Sequence, residues 1–204
     1  LGAMTSTAVT SIINITPIND APVVSDAGGT LSYTENETAT VIDNTITITD
    51  DDDIEIDGGI VTISTGFTTG DILEFTTQND ISGIYDSSTG VLTISGTASL
   101  SEYETALQSI TYHSTSEDPT ITSFNRIISW TVTDANSESL GAEISTAVTS
   151  TINITPINDA PVMTAGATLS YTENDPPKII DNTITIEDDD DTHIAGGTVS
   201  ISSG

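Results

Sequence analysis

The residues best equipped for chemistry are carboxylates, and they come in runs. Asp50-Asp51-Asp52-Asp53 and Asp188-Asp189-Asp190-Asp191 each follow an Asn-Asp-Ala-Pro segment, Asn19 to Pro22 and Asn158 to Pro161. The 204 residues hold 31 acidic side chains and two basic ones, Arg126 and Lys178, for a formal net charge of -29. Two unit charges about 4 Å apart repel by roughly 4 kcal/mol at an effective dielectric near 20. Carboxylates gathered without a basic neighbour therefore call for a cation. Ca²⁺ suits them, since it takes about six to eight oxygen ligands from irregular loops, whereas Mg²⁺ demands a tighter octahedron and keeps its water. Zinc would use His or Cys, and the chain has no Cys and two widely separated histidines, His113 and His193. The other reading of an Asp run is a solvated loop.

Further chemistry finds little support. Asp53-Ile54-Glu55-Ile56-Asp57-Gly58 opens like an EF-hand loop, but Ser64 stands where the closing Glu belongs, and Asp191-Thr192-His193-Ile194-Ala195-Gly196 has lost the ligands. Paired acids could hydrolyse a glycoside, but 4% aromatic residues leave few walls for a sugar cleft. No enzymatic activity is expected. Gly58-Gly59 and Gly196-Gly197 read as turns, three Asn-X-Thr sequons as chance matches, and Lys178 as a surface charge. The acidic balance argues against nucleic-acid partners. No run approaches the roughly 20 apolar residues of a spanning helix, so no membrane insertion is expected in this segment.

What must position the carboxylates is a repeat. Ser6 to Ser11 recurs as Ser145 to Ser150, Ile15 to Pro22 as Ile154 to Pro161, and Tyr33-Thr34-Glu35-Asn36 as Tyr171-Thr172-Glu173-Asn174. Residues 1–18 read as the last strand of one repeat, 19–157 as a complete repeat, and 158–204 as the first strands of another. Such near-identity marks a tandem array.

Period-2 runs fill the complete repeat: Thr45 to Thr49, Ile60 to Ile63, Val91 to Ile94, Ile127 to Thr133 and Ala147 to Thr155. Ile46/Ile48, Leu92/Ile94, Ile128/Trp130/Val132 and Val148/Ile152/Ile154 form inward sets, with Ser and Thr outward. Trp130 and the five tyrosines read as core. Leu100, Tyr103, Leu107 and Ile110 fall at helical spacing behind a Ser99/Glu102 capping box. The fold expected is all-β, an antiparallel sandwich of immunoglobulin-like type with one short helix per repeat.

Alternation of strand direction then places the acids. The first strand descends from the linker and leaves Glu35 at the lower end. The next climbs and delivers residues 50–53 to the top. The last strand descends into Asn158, so its hairpin neighbour climbs and sets Asp134 at the top. One junction gathers Asn19, Asp20, residues 50–53 and Asp134. The other brings Glu35 against Asn158, Asp159 and residues 188–191.

The Asn-Asp-Ala-Pro linkers, Tyr-Thr-Glu-Asn after the first strand, Asp runs at a strand end and Trp130-Thr131-Val132-Thr133-Asp134 resemble cadherin-like repeats, notably those of long bacterial RTX-type adhesins. Leu100-Ser101-Glu102 loosely echoes the Leu-Asp-Arg-Glu motif of animal cadherins. The resemblance implies Ca²⁺ at each junction, about one to three ions. By position, Glu35, Asn158, Asp159, Asp188 and Asp190 would serve one site. Asn19, Asp20, Asp50, Asp52 and Asp134 would serve the other, with Glu173 acting beyond.

The expected role is an extracellular, calcium-stiffened stalk segment of a secreted or cell-surface adhesin, partnered by neighbouring repeats and open to lateral or head-to-tail self-association. A subunit segment of a self-assembling filament or sheath, and a polysaccharide- or cell-binding module, are the alternatives.

Overall fold

Alternation is most complete in the strand that carries the tryptophan. In a computed structural model that describes residues 1–137 and 139–203, Arg126, Ile128, Trp130, Val132 and Asp134 are buried along Asn125–Asp134, while their neighbours are not. That inward face is apolar in the middle and charged at both ends.

The elements are β1 (Val23–Ser25), β2 (Thr30–Thr34), β3 (Thr40–Val41), β4 (Thr47–Thr49), β5 (Glu55–Thr65), β6 (Asp71–Glu74) and β7 (Ser82–Asp86). β8 (Val91–Ser99), α1 (Leu100–Gln108), β9 (Thr111–Ser114), β10 (Asn125–Asp134), β11 (Val148–Thr155), β12 (Val162–Thr164) and β13 (Thr185–Glu187) follow. A six-stranded sheet runs β2-β11-β10-β5-β8-β7, and β3-β9-β6 and β1-β4 form smaller sheets around the same core. The chain is thus all-β with a single short helix among the described residues.

Of the ten expected inward residues all but Val148 are buried, and Val148 packs against the same cluster. Each buried Ile, Leu or Val side chain contributes about 1.5–3 kcal/mol. Trp130, Tyr33, Tyr103 and Tyr112 are core and Tyr85 is half-buried, but Tyr171 is 56% exposed. The cause is cover: Tyr33 is sealed by the Tyr112 ring, 5.0 Å away and edge-on, and residues 158–203 contain no counterpart of β9.

The helix forms where its spacing places it. Ser99 accepts from the Glu102 amide at 3.4 Å, and Glu102 accepts from the Ser99 amide at 3.0 Å. Nine residues are too few to hold a helix alone, so Tyr103, Ala106 and Leu107 dock into the core. Glu104 and Gln108 also bond the β4 segment, accepting from the Ile48 amide at 2.8 Å and donating to the Ile46 carbonyl at 2.7 Å. Ile110 is buried beyond the helix end rather than within it.

Two expectations are corrected. The sandwich is not wholly antiparallel, because β2 and β11 both descend and pair in parallel, Thr30 beside Thr151 through Thr34 beside Thr155. Gly58 and Gly59 lie inside central strand β5, not in a turn, next to bulges opposite β8 and β10. A Cβ on Gly59 would stand 2.9 Å from the Thr131 carbonyl oxygen, so glycine is needed for close strand approach.

Residues 1–21 carry no strand or helix and, Asn19 apart, are exposed. The segment after Asn158 repeats local structure of the complete unit. β12 pairs β13 through Val162 and Glu187, as β1 pairs β4 through Val23 and Thr49. Asp181 accepts from the Gly166 and Ala167 amides and from Thr183, as Asp43 accepts from the Gly28 and Gly29 amides and from Thr45.

Candidate metal centres at the junctions

Upper and lower ends are set by β10, which climbs from Arg126 to Asp134. Just past β4, Asp50 turns the chain by accepting the Asp52 and Asp53 amides on Oδ1, at 3.1 and 2.9 Å. Its Oδ2 is buried with no hydrogen-bond partner. Asp52 takes the Asp20 amide on Oδ2 at 3.0 Å and leaves Oδ1 without a partner. Asp53, 1% exposed, takes the Ser137 amide on Oδ1 at 3.1 Å and leaves Oδ2 without one. Asn19 donates from Nδ2 to Asp134 Oδ2 at 2.8 Å, so its own Oδ1 is the fourth such atom. Asp134, fully buried, is also held by the Asn136 and Glu143 amides.

A common design emerges. In Asp50, Asp52 and Asp53 one carboxylate oxygen is fixed by backbone N–H groups and the other is buried without a partner, whereas both oxygens of Asp134 are engaged. An unsatisfied buried acceptor costs about 1–3 kcal/mol, more if charged, so four such oxygens at one end of the sandwich make it a candidate cation site. Burial, and then the neighbouring Asp52 against the two amide bonds, pushes the Asp50 carboxyl above its usual range.

The lower end repeats the pattern. Asp188 Oδ1 accepts the Asp190 and Asp191 amides at 3.2 and 2.9 Å, and Asp190 Oδ2 accepts the Asp159 amide at 2.5 Å. These are the bonds made by Asp50, Asp52 and Asp20 one repeat earlier. Glu35, 2% exposed and just past β2, takes the Ile157 amide on Oε2 at 2.7 Å and leaves Oε1 unpartnered. Carboxylate oxygens of Glu35, Glu117 and Asp159 lie within 4.8 Å of one another. Burial raises the Glu35 carboxyl, helped by Asp190, Asp159 and Glu117, against the Ile157 amide. Asn158 donates to the Asp159 carbonyl at 2.8 Å, which braces the linker. Every candidate ligand is an oxygen donor, the set a hard cation takes.

The structure thus brings Asn19, Asp20, Asp50, Asp52 and Asp134 to one end, and Glu35, Asn158, Asp159, Asp188 and Asp190 to the other junction. Glu173 is exposed. His113 stands on β9 with Nδ1 3.8 Å from Glu74, and His193 bonds Thr192 at 2.8 Å. Lys178 pairs with Asp175 at 2.6 Å on the surface.

Sequence reasoning did not single out Glu117, or Asp53 apart from its run. Glu117 lies between β9 and β10, and continuing the strand alternation through β9 would have brought that loop to the lower end. It also overlooked the role of Arg126, which is fully buried and grips Asp71 with Nε at 2.6 Å and Nη2 at 3.1 Å. Tyr112 donates to Asp71 at 2.6 Å, and its hydroxyl pKa is raised by burial and then by that carboxylate. The signal was present, for Arg126 shares the parity of Ile128 and Trp130.

No protein-family model matches the chain. One curated relative, Halomucin of Haloquadratum walsbyi, is 35% identical over 101 residues, which is 47% of this chain and 1% of the relative's length. The matched segment is therefore a very small part of that protein.

Proposed function

We propose that this chain is a segment of a tandem-repeat stalk outside the cell, in which immunoglobulin-like, cadherin-like sandwiches are joined by short linkers that Ca²⁺ stiffens. The observation that carries the reading is the set of buried, unpartnered oxygens of Asn19, Asp50, Asp52 and Asp53, echoed by Glu35 at the opposite end of the same sandwich. Both linkers are fastened to the following Asp turn by one hydrogen bond, in which the Asp20 amide donates to the Asp52 carboxylate and the Asp159 amide to the Asp190 carboxylate. A divalent cation would supply the positive charge that each cluster lacks. The residues named above would hold it, and the linker would be tied to the bodies on both sides.

The role is mechanical rather than catalytic. Its partners are neighbouring repeats of the same protein. The partial identity to a protein named Halomucin supports a place on or outside a cell surface. Extracellular modules bind calcium with dissociation constants of about 10⁻⁴ to 10⁻³ M. At ten times that constant each site adds roughly 1.4 kcal/mol to stability.

Isothermal calorimetry of the chain with calcium chloride tests the reading. Saturable heat is expected, sharply reduced in Asp52→Asn and Asp159→Ala. Absence of saturable binding would overturn it and leave the Asp turns as solvated loops.

A further inference from the structure

We infer that Glu117 is a cation ligand of the lower junction, and that buried Arg126 is the positioning residue that holds its loop in reach. The inference rests on the reading of the junctions as cation sites and adds a chain segment to one of them.

Glu35 is the fixed point. It is 98% removed from solvent, its Oε2 is occupied by the Ile157 amide, and its Oε1 has no partner. A carboxylate oxygen of Glu35 lies in a group with carboxylate oxygens of Glu117 and Asp159, all within 4.8 Å of one another. The three acids come from three separate places: the end of β2, the loop 115–124 and the linker. An ion taken by all three would fasten the linker to the body at two points instead of one. Loop 115–124 also faces the following unit, for Asp118 and Thr120 line a cleft of about 260 Å³ with Pro156, Asn158 and Asp190.

A ten-residue loop would ordinarily be too loose to place a ligand, since ordering each residue costs about 1–2 kcal/mol. Here the guanidinium does the ordering. Arg126 donates from Nη2 to the Pro119 carbonyl at 2.6 Å and from Nη1 to the Ser123 carbonyl at 2.7 Å. Its other edge is locked on Asp71, which also accepts from Tyr112 and from the Thr68 amide at 2.7 Å. On the near side, the Thr115 amide donates to the Gly70 carbonyl at 2.9 Å, and the Ser116 and Asp118 amides donate to Ser114 and Ser116 hydroxyls at 3.2 Å. Glu117 sits between these two sets of anchors. Its exposed carboxylate makes no hydrogen bond of its own among the described residues, which leaves it available to an ion.

The test is calorimetric titration of the whole chain with calcium chloride, comparing wild type, Glu117→Gln, Arg126→Lys, the double variant, and Glu74→Gln as an exposed control away from the junction. Calcium tunes its affinity by ligand charge and rigidity, so Glu117→Gln is expected to weaken the lower-junction site about tenfold. In EDTA the same variant should melt no lower than wild type, since one repelling charge is gone. Glu74→Gln should bind as wild type. Arg126→Lys keeps the charge but not the planar fork; it should weaken binding in the wild-type background and add little to Glu117→Gln. Should Arg126→Lys fail to fold, Glu117→Gln alone decides. Wild-type affinity in Glu117→Gln overturns the role of Glu117 while leaving the junction reading standing. No binding by the wild type overturns both.

Discussion

Glu35→Gln should change the sign of its effect with calcium. In the metal-free protein, Glu35 is a buried carboxylate whose ligand oxygen lies within 4.8 Å of those of Asp159 and Glu117. At that distance each like-charge pair costs about 3 kcal/mol at an effective dielectric near 20. Glu117 is exposed and Asp159 only half-buried, so solvent reduces the real relief to about 1–2 kcal/mol. Glutamine keeps the shape and can still accept the Ile157 amide. With EDTA present, Glu35→Gln should therefore melt about 2–8 °C higher, taking 2–4 °C per kcal/mol for a chain of this size. With saturating calcium the order should reverse, because wild type gains binding energy that the variant loses. Thermal denaturation followed by circular dichroism, in EDTA and in excess calcium, reads both arms. The pH dependence follows the same logic. The Glu35 carboxyl is raised in the folded state, so the metal-free protein loses stability as pH climbs from the unfolded value through the folded one. Equal destabilisation in both buffers would refute the reasoning and make Glu35 a purely structural acceptor.

The sandwich itself yields further tests. Burial alone would raise the Asp43 carboxyl, but hydrogen bonds from Ser150, Thr45 and the Gly29 amide outweigh it and hold the value at about 2. A depressed folded value means its stabilisation, about 2 kcal/mol, is whole above pH 4 and drains away as pH falls toward 2. Asp43→Asn should lower stability by a similar amount at neutral pH and flatten that acid limb, as urea denaturation across pH would show. For the buried pair, Arg126→Met alone should cost about 3–5 kcal/mol by stranding Asp71, and adding Asp71→Leu should recover much of the loss; chemical denaturation of the two variants compares them.

Legibility in the sequence followed pattern length. Long Thr/Ile alternation marked β5, β8, β10 and β11, and the capping box marked α1, because period and cap chemistry are local. Short strands such as β3, with two residues, and β6, with four, carry too little period to stand out, and they take their partners from β9 far along the chain. The placement of Asp134 and the Asp turns needed only strand direction, which alternation supplies. Glu117 needed the path of a loop, and that path is set by guanidinium bonds to the Pro119 and Ser123 carbonyls, which no periodicity reveals. Gly59 misled because glycine marks both turns and close strand approach; the 2.9 Å distance to Thr131 decides between them.

The central claim is that cation binding stiffens the junction, and small-angle X-ray scattering of a protein with two complete repeats measures it most directly. A longer maximum dimension and narrower shape distribution in calcium than in EDTA, reversible on chelation and lost in Asp159→Ala, is the predicted result. Superimposable scattering in the two buffers would contradict it.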